Sequence, residues 1–257
     1  ESFMRRNSYL RFWAIGAMER LILKKAKLLL LVSEEMLRHY EKKYHLKLKQ
    51  KSIIMPCFNE LGIEESAFYD EKYRHNTFTY VGSIQAWQCF EQTAKLYREI
   101  ETRATTPVKF CVYTFQKEAA EQIVQNLGIQ NYSVDCVPAE ELSRRIKEIK
   151  YGFIIREDHP VNNVATPTKF SNYLANGIIP IYSSAVKSFA EFDETNQLGI
   201  VYDLDKPGAG LHRILEHMEK KISAAQVQEK CANTFATYYN AERYKEEIAQ
   251  KLKQIIG

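Results

Sequence analysis

Cysteine is scarce and scattered: Cys57, Cys89, Cys111, Cys136 and Cys231 form no close pair, which fits neither a disulfide scaffold nor a zinc site. They read as reduced thiols, mostly buried. No stretch approaches the roughly 18 consecutive apolar residues of a membrane-spanning helix, and the start lacks the charged-then-apolar layout of a secretion signal. The expected compartment is therefore the cytoplasm, the Asn131-Tyr132-Ser133 sequon notwithstanding. None of the ten glycines falls in a G-x-G-x-x-G or phosphate-loop motif, which argues against a dinucleotide cofactor. The six histidines show no metal-ligand spacing; His212 and His217, five apart on a helical pattern, read as surface residues, and no metal is expected. The formal charge of +4 is spread along the chain, so no nucleic-acid partner is expected.

What is present is a repeat. Within the 257 residues, short β-branched or aromatic runs alternate with segments of helical period from about residue 78 onward. The runs are Phe78 to Val81, Val108 to Tyr113, Tyr132 to Val137, Tyr151 to Ile155, Ile178 to Tyr182 and Gly199 to Tyr202. Several are almost continuously apolar, which requires both sheet faces to be covered and implies an α/β fold, a Rossmann-like doubly wound parallel sheet. Ligands of such sheets bind beyond the carboxyl ends of the strands. That places Gly82, Ser83, Val137 and the segment from Arg156 to Thr168 on the expected binding edge.

The first 60 residues stand outside this repeat. A basic helix over Arg5 to Lys25, a strand over Lys27 to Val32, a helix capped by Ser33 that ends at Tyr44, and a strand over Ser52 to Met55 read as the end of a preceding domain, truncated upstream. The expected division is 1–60 for this N-terminal, acceptor-side piece, 61–76 for a linker, 77–240 for a nucleotide-sugar-binding Rossmann-like domain and 241–257 for a C-terminal helix. Phe3, Leu10, Phe12, Trp13 and Leu21 alternate with Arg5, Arg6, Arg11, Arg20, Lys24 and Lys25 in the first helix. Such a helix either lies on a membrane surface or packs on a missing domain.

The segment from Arg156 to Tyr182 carries the chemistry. Thr166 is placed to cap a helix, Pro167 to occupy its first position, and Gly177 to stop it. A lysine in the first turn, Lys169, is the wrong charge for the helix dipole by roughly 0.3–1 kcal/mol and is explained by a bound anion. Arg156 ends the preceding strand on the same edge, so two cations and a ring of amides at the helix start by Pro167 and Thr168 can converge on a diphosphate. The competing reading is a surface lysine and an Arg156 paired with Glu157 or Asp158. Trp87 either stacks on a base or sugar or packs on a neighbouring loop.

The runs Tyr151-Gly152-Phe153-Ile154-Ile155-Arg156, Ala165-Thr166-Pro167-Thr168-Lys169-Phe170 and Tyr173-Leu174-Ala175-Asn176-Gly177-Ile178-Ile179-Pro180-Ile181 resemble the donor-site segment of glycosyltransferase family 4, of the GT-B class. Tyr80-Val81-Gly82-Ser83, Glu141-Leu142, Val32-Ser33 and Ile54-Met55-Pro56 match in order and spacing, so the resemblance covers roughly residues 20 to 190. It implies a retaining, metal-independent transfer of a sugar from a nucleotide-sugar donor, which is substrate rather than cofactor, in a cleft between two Rossmann-like domains. It also implies a polysaccharide or lipid-linked acceptor and so a role in building the cell envelope; a lipid-linked acceptor would suit peripheral contact of the first helix with the inner face of a membrane. In that family a glutamate five residues before the glycine holds the ribose hydroxyls; Asn172 stands there, and its amide can still donate and accept. Val164, beside Asn162 and Asn163, replaces a second acidic residue, and Ser83 and Gln88 replace a cationic pair after the first strand's glycine.

The resemblance implies that catalysis rests on stabilising the leaving nucleoside diphosphate, and Lys169 and Arg156 are the candidates for that role. The replaced residues leave two alternatives: a nucleotide-binding module without transfer activity, and an epimerase-like enzyme acting on the donor alone. A chain that supplies mainly the donor site is expected to bind donor but transfer nothing by itself.

Overall fold

A computed structural model describes residues 9–257, so Phe3, Arg5 and Arg6 lie outside the described residues. The chain runs α1 (Tyr9–Lys25), β1 (Leu29–Leu31), α2 (Glu34–Tyr44), β2 (Ser52–Ile54), α3 (Asp70–Arg74), β3 (Asn76–Val81), α4 (Phe90–Arg103), β4 (Val108–Tyr113), α5 (Lys117–Asn126) and β5 (Tyr132–Asp135). It continues through α6 (Ala139–Ile146), β6 (Tyr151–Ile154), α7 (Pro160–Val164), α8 (Lys169–Ala175), β7 (Ile179–Ser183), α9 (Lys187–Asn196), β8 (Ile200–Tyr202), α10 (Pro207–Met218), α11 (Ala224–Thr237) and α12 (Ala241–Ile256).

The last six strands form one parallel sheet in the order β5-β4-β3-β6-β7-β8. The chain winds outward from β3 to β5, returns to place β6 beside β3, and winds outward again, so the switch point is between β3 and β6. Each strand alternates between two cores because successive side chains point to opposite faces. Phe78, Tyr80, Phe110, Val112, Tyr151 and Phe153 pack on one face against residues of α4, α5 and α10. Cys111, Ile154 and Tyr182 pack on the other against α8, α9 and α11. The doubly wound arrangement expected from the apolar runs is the one observed.

Several strands are shorter than their apolar runs. Ladder pairing ends at Asp135 in β5, Ile154 in β6 and Ile54 in β2, which leaves Val137, Ile155 and Met55 outside, and Lys27 to Val32 shrinks to the three residues that pair with β2. Apolarity reports burial, whereas strand length reports pairing.

The N-terminal piece is a two-stranded parallel sheet with α1 and α2, closed over Leu23, Leu31, Leu37, Tyr44 and Leu48. Ser33 caps α2 by accepting from the Met36 amide at 3.0 Å and also donates to the Val164 carbonyl at 2.7 Å, so one hydroxyl ties this piece to α7. Residues 61–76 pack on the C-terminal end of α8: Tyr73 donates to the Gly177 carbonyl at 2.8 Å, and buried Lys72 donates to the carbonyls of Ala67 and Asn176. From the far end of the chain, α12 returns to the N-terminal piece, where the ring centroids of Tyr244 and Phe58 lie 6.3 Å apart.

Candidate functional site

Beyond the carboxyl ends of β3 and β6, Arg156 and Lys169 meet on one atom. The Gln88 side-chain oxygen accepts from Arg156 Nη2 at 2.6 Å and from Lys169 Nζ at 2.9 Å. Arg156 also donates from Nη1 to the carbonyls of Gln88 at 3.1 Å and Ile155 at 2.8 Å, and its own amide donates to Ser183 Oγ at 2.7 Å. Lys169 Nζ lies 4.6 Å from the centroid of the Tyr80 ring, within cation–π range. The Tyr80 hydroxyl in turn donates to the Ser83 carbonyl.

Both cations are carried under cover. Arg156 is buried, and burial lowers its pKa. Burial first and the Arg156 guanidinium second hold the Lys169 pKa well below lysine's usual value. Among the described residues no carboxylate pairs with either. Glu157 and Asp158, the expected partners in the simpler reading of Arg156, are exposed, and Glu157 accepts instead from Gln92. Two like charges held together by a neutral amide in a partly dry site are unfavourable unless an anion joins them.

Gly82 makes this approach possible. It adopts φ of +131°, a region that side-chain-bearing residues rarely enter, and a Cβ built on it would come within 2.9 Å of Lys169 Nζ. Gly152 has a parallel role in β6: a Cβ there would come within 2.4 Å of the buried ring of Tyr173, the α8 side chain that packs the helix onto this strand.

The helix start differs from the sequence reading. α8 begins at Lys169 with Thr168 as its cap residue, and no side chain caps it. Thr166 is drawn away because its hydroxyl accepts from the Cys57 amide at 2.8 Å, joining the loop after β2 to the site. The Phe170 amide already donates to the Pro167 carbonyl and the Asn172 amide to the Thr168 carbonyl, so these two amides are engaged within the chain. Asn172 Oδ1 is buried with no hydrogen-bond partner, an acceptor that lacks a donor. Ser83 lies half-buried beside Gly82, and Thr168 is exposed at the rim. Val137 follows β5, with β4 between it and β3, and does not join the cation cluster.

Arg156 also lines a cavity of about 260 Å³, with Ser183, Lys187, Asp158, Asp203 and Asp205. Trp87, on the turn preceding Gln88, is about half exposed and packs on no neighbouring ring among the described residues. Among residues the sequence reading did not assign to the site, Ser183 and the Tyr80 ring hold the cations in place, and Gln88 joins them. Gln88 is visible in sequence only as a departure from a pattern.

His217 also differs from expectation. It is half-buried rather than a surface residue, 3.0 Å from the Tyr151 hydroxyl, with a pKa pushed down to about 4 by burial and then by Lys150, Lys220 and Lys230.

No protein-family model matches the chain, and no curated protein sequence matches it. Its likeness to solved structures is extensive. It superposes on WaaG, a glycosyltransferase of lipopolysaccharide biosynthesis, with a TM-score of 0.65 at 13% identity, over 91% of this chain and 66% of that one. A variant of S. aureus TarM bound to fondaparinux, alpha-GlcNAc-glycerol and UDP gives 0.68 at 10% identity, over 91% and 44%. A glycosyltransferase from Rickettsia africae gives 0.70 at 13%, over 93% and 67%. The fold is GT-B. The chain spans 66% of WaaG and 44% of TarM, so it matches a part of each GT-B structure. Among its described residues, no helix is long and apolar enough to cross a membrane.

Proposed function

We propose that this chain supplies the donor site of a glycosyltransferase and that its ligand is a nucleoside diphosphate sugar. The convergence of Arg156 and Lys169 on Gln88 Oε1, with no carboxylate partner among the described residues and beside Gly82, carries this reading. A diphosphate supplies the missing negative charge with oxygens spaced for both cations. Asn172 Oδ1, an unpaired acceptor on the same helix, suits a ribose hydroxyl. Gly82, Ser83, Pro167 and Thr168 border the phosphates, and Val137 lines the outer wall towards the base.

In this reading the reaction is a retaining, metal-independent transfer to a polysaccharide or lipid-linked acceptor. Lys169 and Arg156 stabilise the charge that develops on the bridging oxygen as the glycosidic bond breaks, an effect worth several kcal/mol in a water-poor site. Residues 1–60 belong to the acceptor-side domain, 61–76 form the connection, 77–240 bind the donor, and 241–257 form the closing helix. The protein works in the cytoplasm. α1 supports contact with the inner face of a membrane: Trp13, Met18, Leu21 and Ile22 are exposed beside the basic residues Arg20, Lys24 and Lys25. These 257 residues bind donor but do not complete transfer by themselves.

A thermal-shift screen with UDP, GDP, CMP and their sugars tests the donor site, because a ligand that binds only the native state raises its stability. A shift is expected with one nucleotide series and is lost in Lys169→Ala, whose melting without ligand remains near that of the unmodified chain. Absence of a shift with every nucleotide refutes the reading. A second reading, binding without transfer, draws on Val164 and Asn172 standing where the family has carboxylates. Donor binding by the full-length protein without product from any acceptor favours it.

A further inference from the structure

We propose that Gln88 is a positioning residue whose side-chain oxygen stands in the place of a diphosphate oxygen. It holds Arg156 and Lys169 together until a ligand's anionic oxygens displace it. The inference rests on the donor-site reading above and adds a role for a residue that reading leaves unassigned.

The chemistry fixes which end of the amide faces the cations. A guanidinium can only donate, so the 2.6 Å bond from Arg156 requires the carbonyl oxygen, and Lys169 donates to that same oxygen at 2.9 Å. An oxygen that accepts from both groups stands where a phosphate oxygen would stand. The side chain at this position must satisfy two opposing demands. An apolar residue would leave two cations facing each other, and a carboxylate would neutralise them and close the site to other anions. A neutral amide gives weaker charge-assisted bonds than a carboxylate, strong enough to order the pair and weak enough to yield to a dianion.

Its setting allows that movement. Gln88 ends a short 3-10 turn, Ala86–Gln88, whose other residues are exposed, while Cys89 behind it is buried and anchors the start of α4. The side chain can swing outward without disturbing the core.

The test compares Gln88→Ala and Gln88→Glu with the unmodified chain. Melting temperature is measured without ligand, and affinity for UDP, GDP and inorganic pyrophosphate is measured by calorimetry. A placeholder predicts opposite signs for the two readouts. Gln88→Ala melts lower and binds the diphosphates several-fold tighter; Gln88→Glu melts higher and binds them at least about tenfold more weakly, since a carboxylate holds the cations more strongly. A purely structural role would lower melting temperature and affinity together in Gln88→Ala, and that result overturns the proposal while leaving the donor site intact. Equal affinity in all three chains overturns it as well. No binding of UDP, GDP or pyrophosphate by any chain overturns both the proposal and the donor-site reading.

Discussion

The ammonium of Lys169 lies where a side chain on Gly82 would begin: a Cβ at that position would come within 2.9 Å of Nζ. Gly82→Ala therefore meets two penalties, a φ of +131° that alanine resists and displacement of Nζ from Gln88. Because the obstructed atom ends a flexible side chain, the stability cost is modest, about 1–2 kcal/mol. The loss of nucleoside diphosphate affinity is larger, about tenfold or more, and calorimetry beside a denaturation curve separates the two. Unchanged affinity would show that Lys169 is not held against Gly82 for binding.

Ligand binding and protonation of Lys169 are coupled. Burial and the Arg156 charge favour the neutral amine, whereas a bound diphosphate favours the ammonium. Affinity is therefore highest below the lowered pKa of the free site and falls as pH rises through it, with a proton taken up on binding above that pKa. Calorimetry in two buffers of different ionisation enthalpy measures the uptake directly. Binding that is independent of pH up to lysine's usual range contradicts the coupling.

His217 makes the fold sensitive to acid. Its pKa of about 4 lies below the usual value of 6.5, so between those values the unfolded chain binds more protons than the folded one. Stability is retained above about pH 6.5 and falls as pH drops towards 4, by up to about 3 kcal/mol from this group. In His217→Gln, which keeps an acceptor for the Tyr151 hydroxyl, the decline over this range becomes shallower. An identical pH profile for the two chains would falsify the assignment.

Gly177 is fixed by a neighbour far away in sequence. Its φ is +61°, and a Cβ would come within 2.7 Å of the Tyr73 hydroxyl and 2.8 Å of the Phe68 ring. Gly177→Ala is expected to destabilise the chain by about 2–4 kcal/mol through backbone strain and overpacking together. Tyr73→Phe, which loses only the bond to the Gly177 carbonyl, costs about 1 kcal/mol, and equal costs for the two changes would argue against the overpacking account.

The sequence by itself determined the alternation of strands and helices, because apolar runs and helical periods are local patterns that burial on two sheet faces imposes. It pointed to Arg156, Lys169 and Gly82, since a buried-strand cation, a lysine at a helix start and a glycine after a strand are each unusual where they stand. It misread Thr166, because capping competes with a distant partner: the Cys57 amide comes from a loop 109 residues away in sequence. It misread His217 for the same reason, since the burial comes from packing against Tyr151.

Only the tertiary structure decided that Arg156 and Lys169 share Gln88, that Tyr80 and Ser183 support them, and that residues 61–76 seat the far end of α8. These contacts join segments tens of residues apart, and their energies depend on burial and on which charges face each other. Neither property has a local signature in sequence.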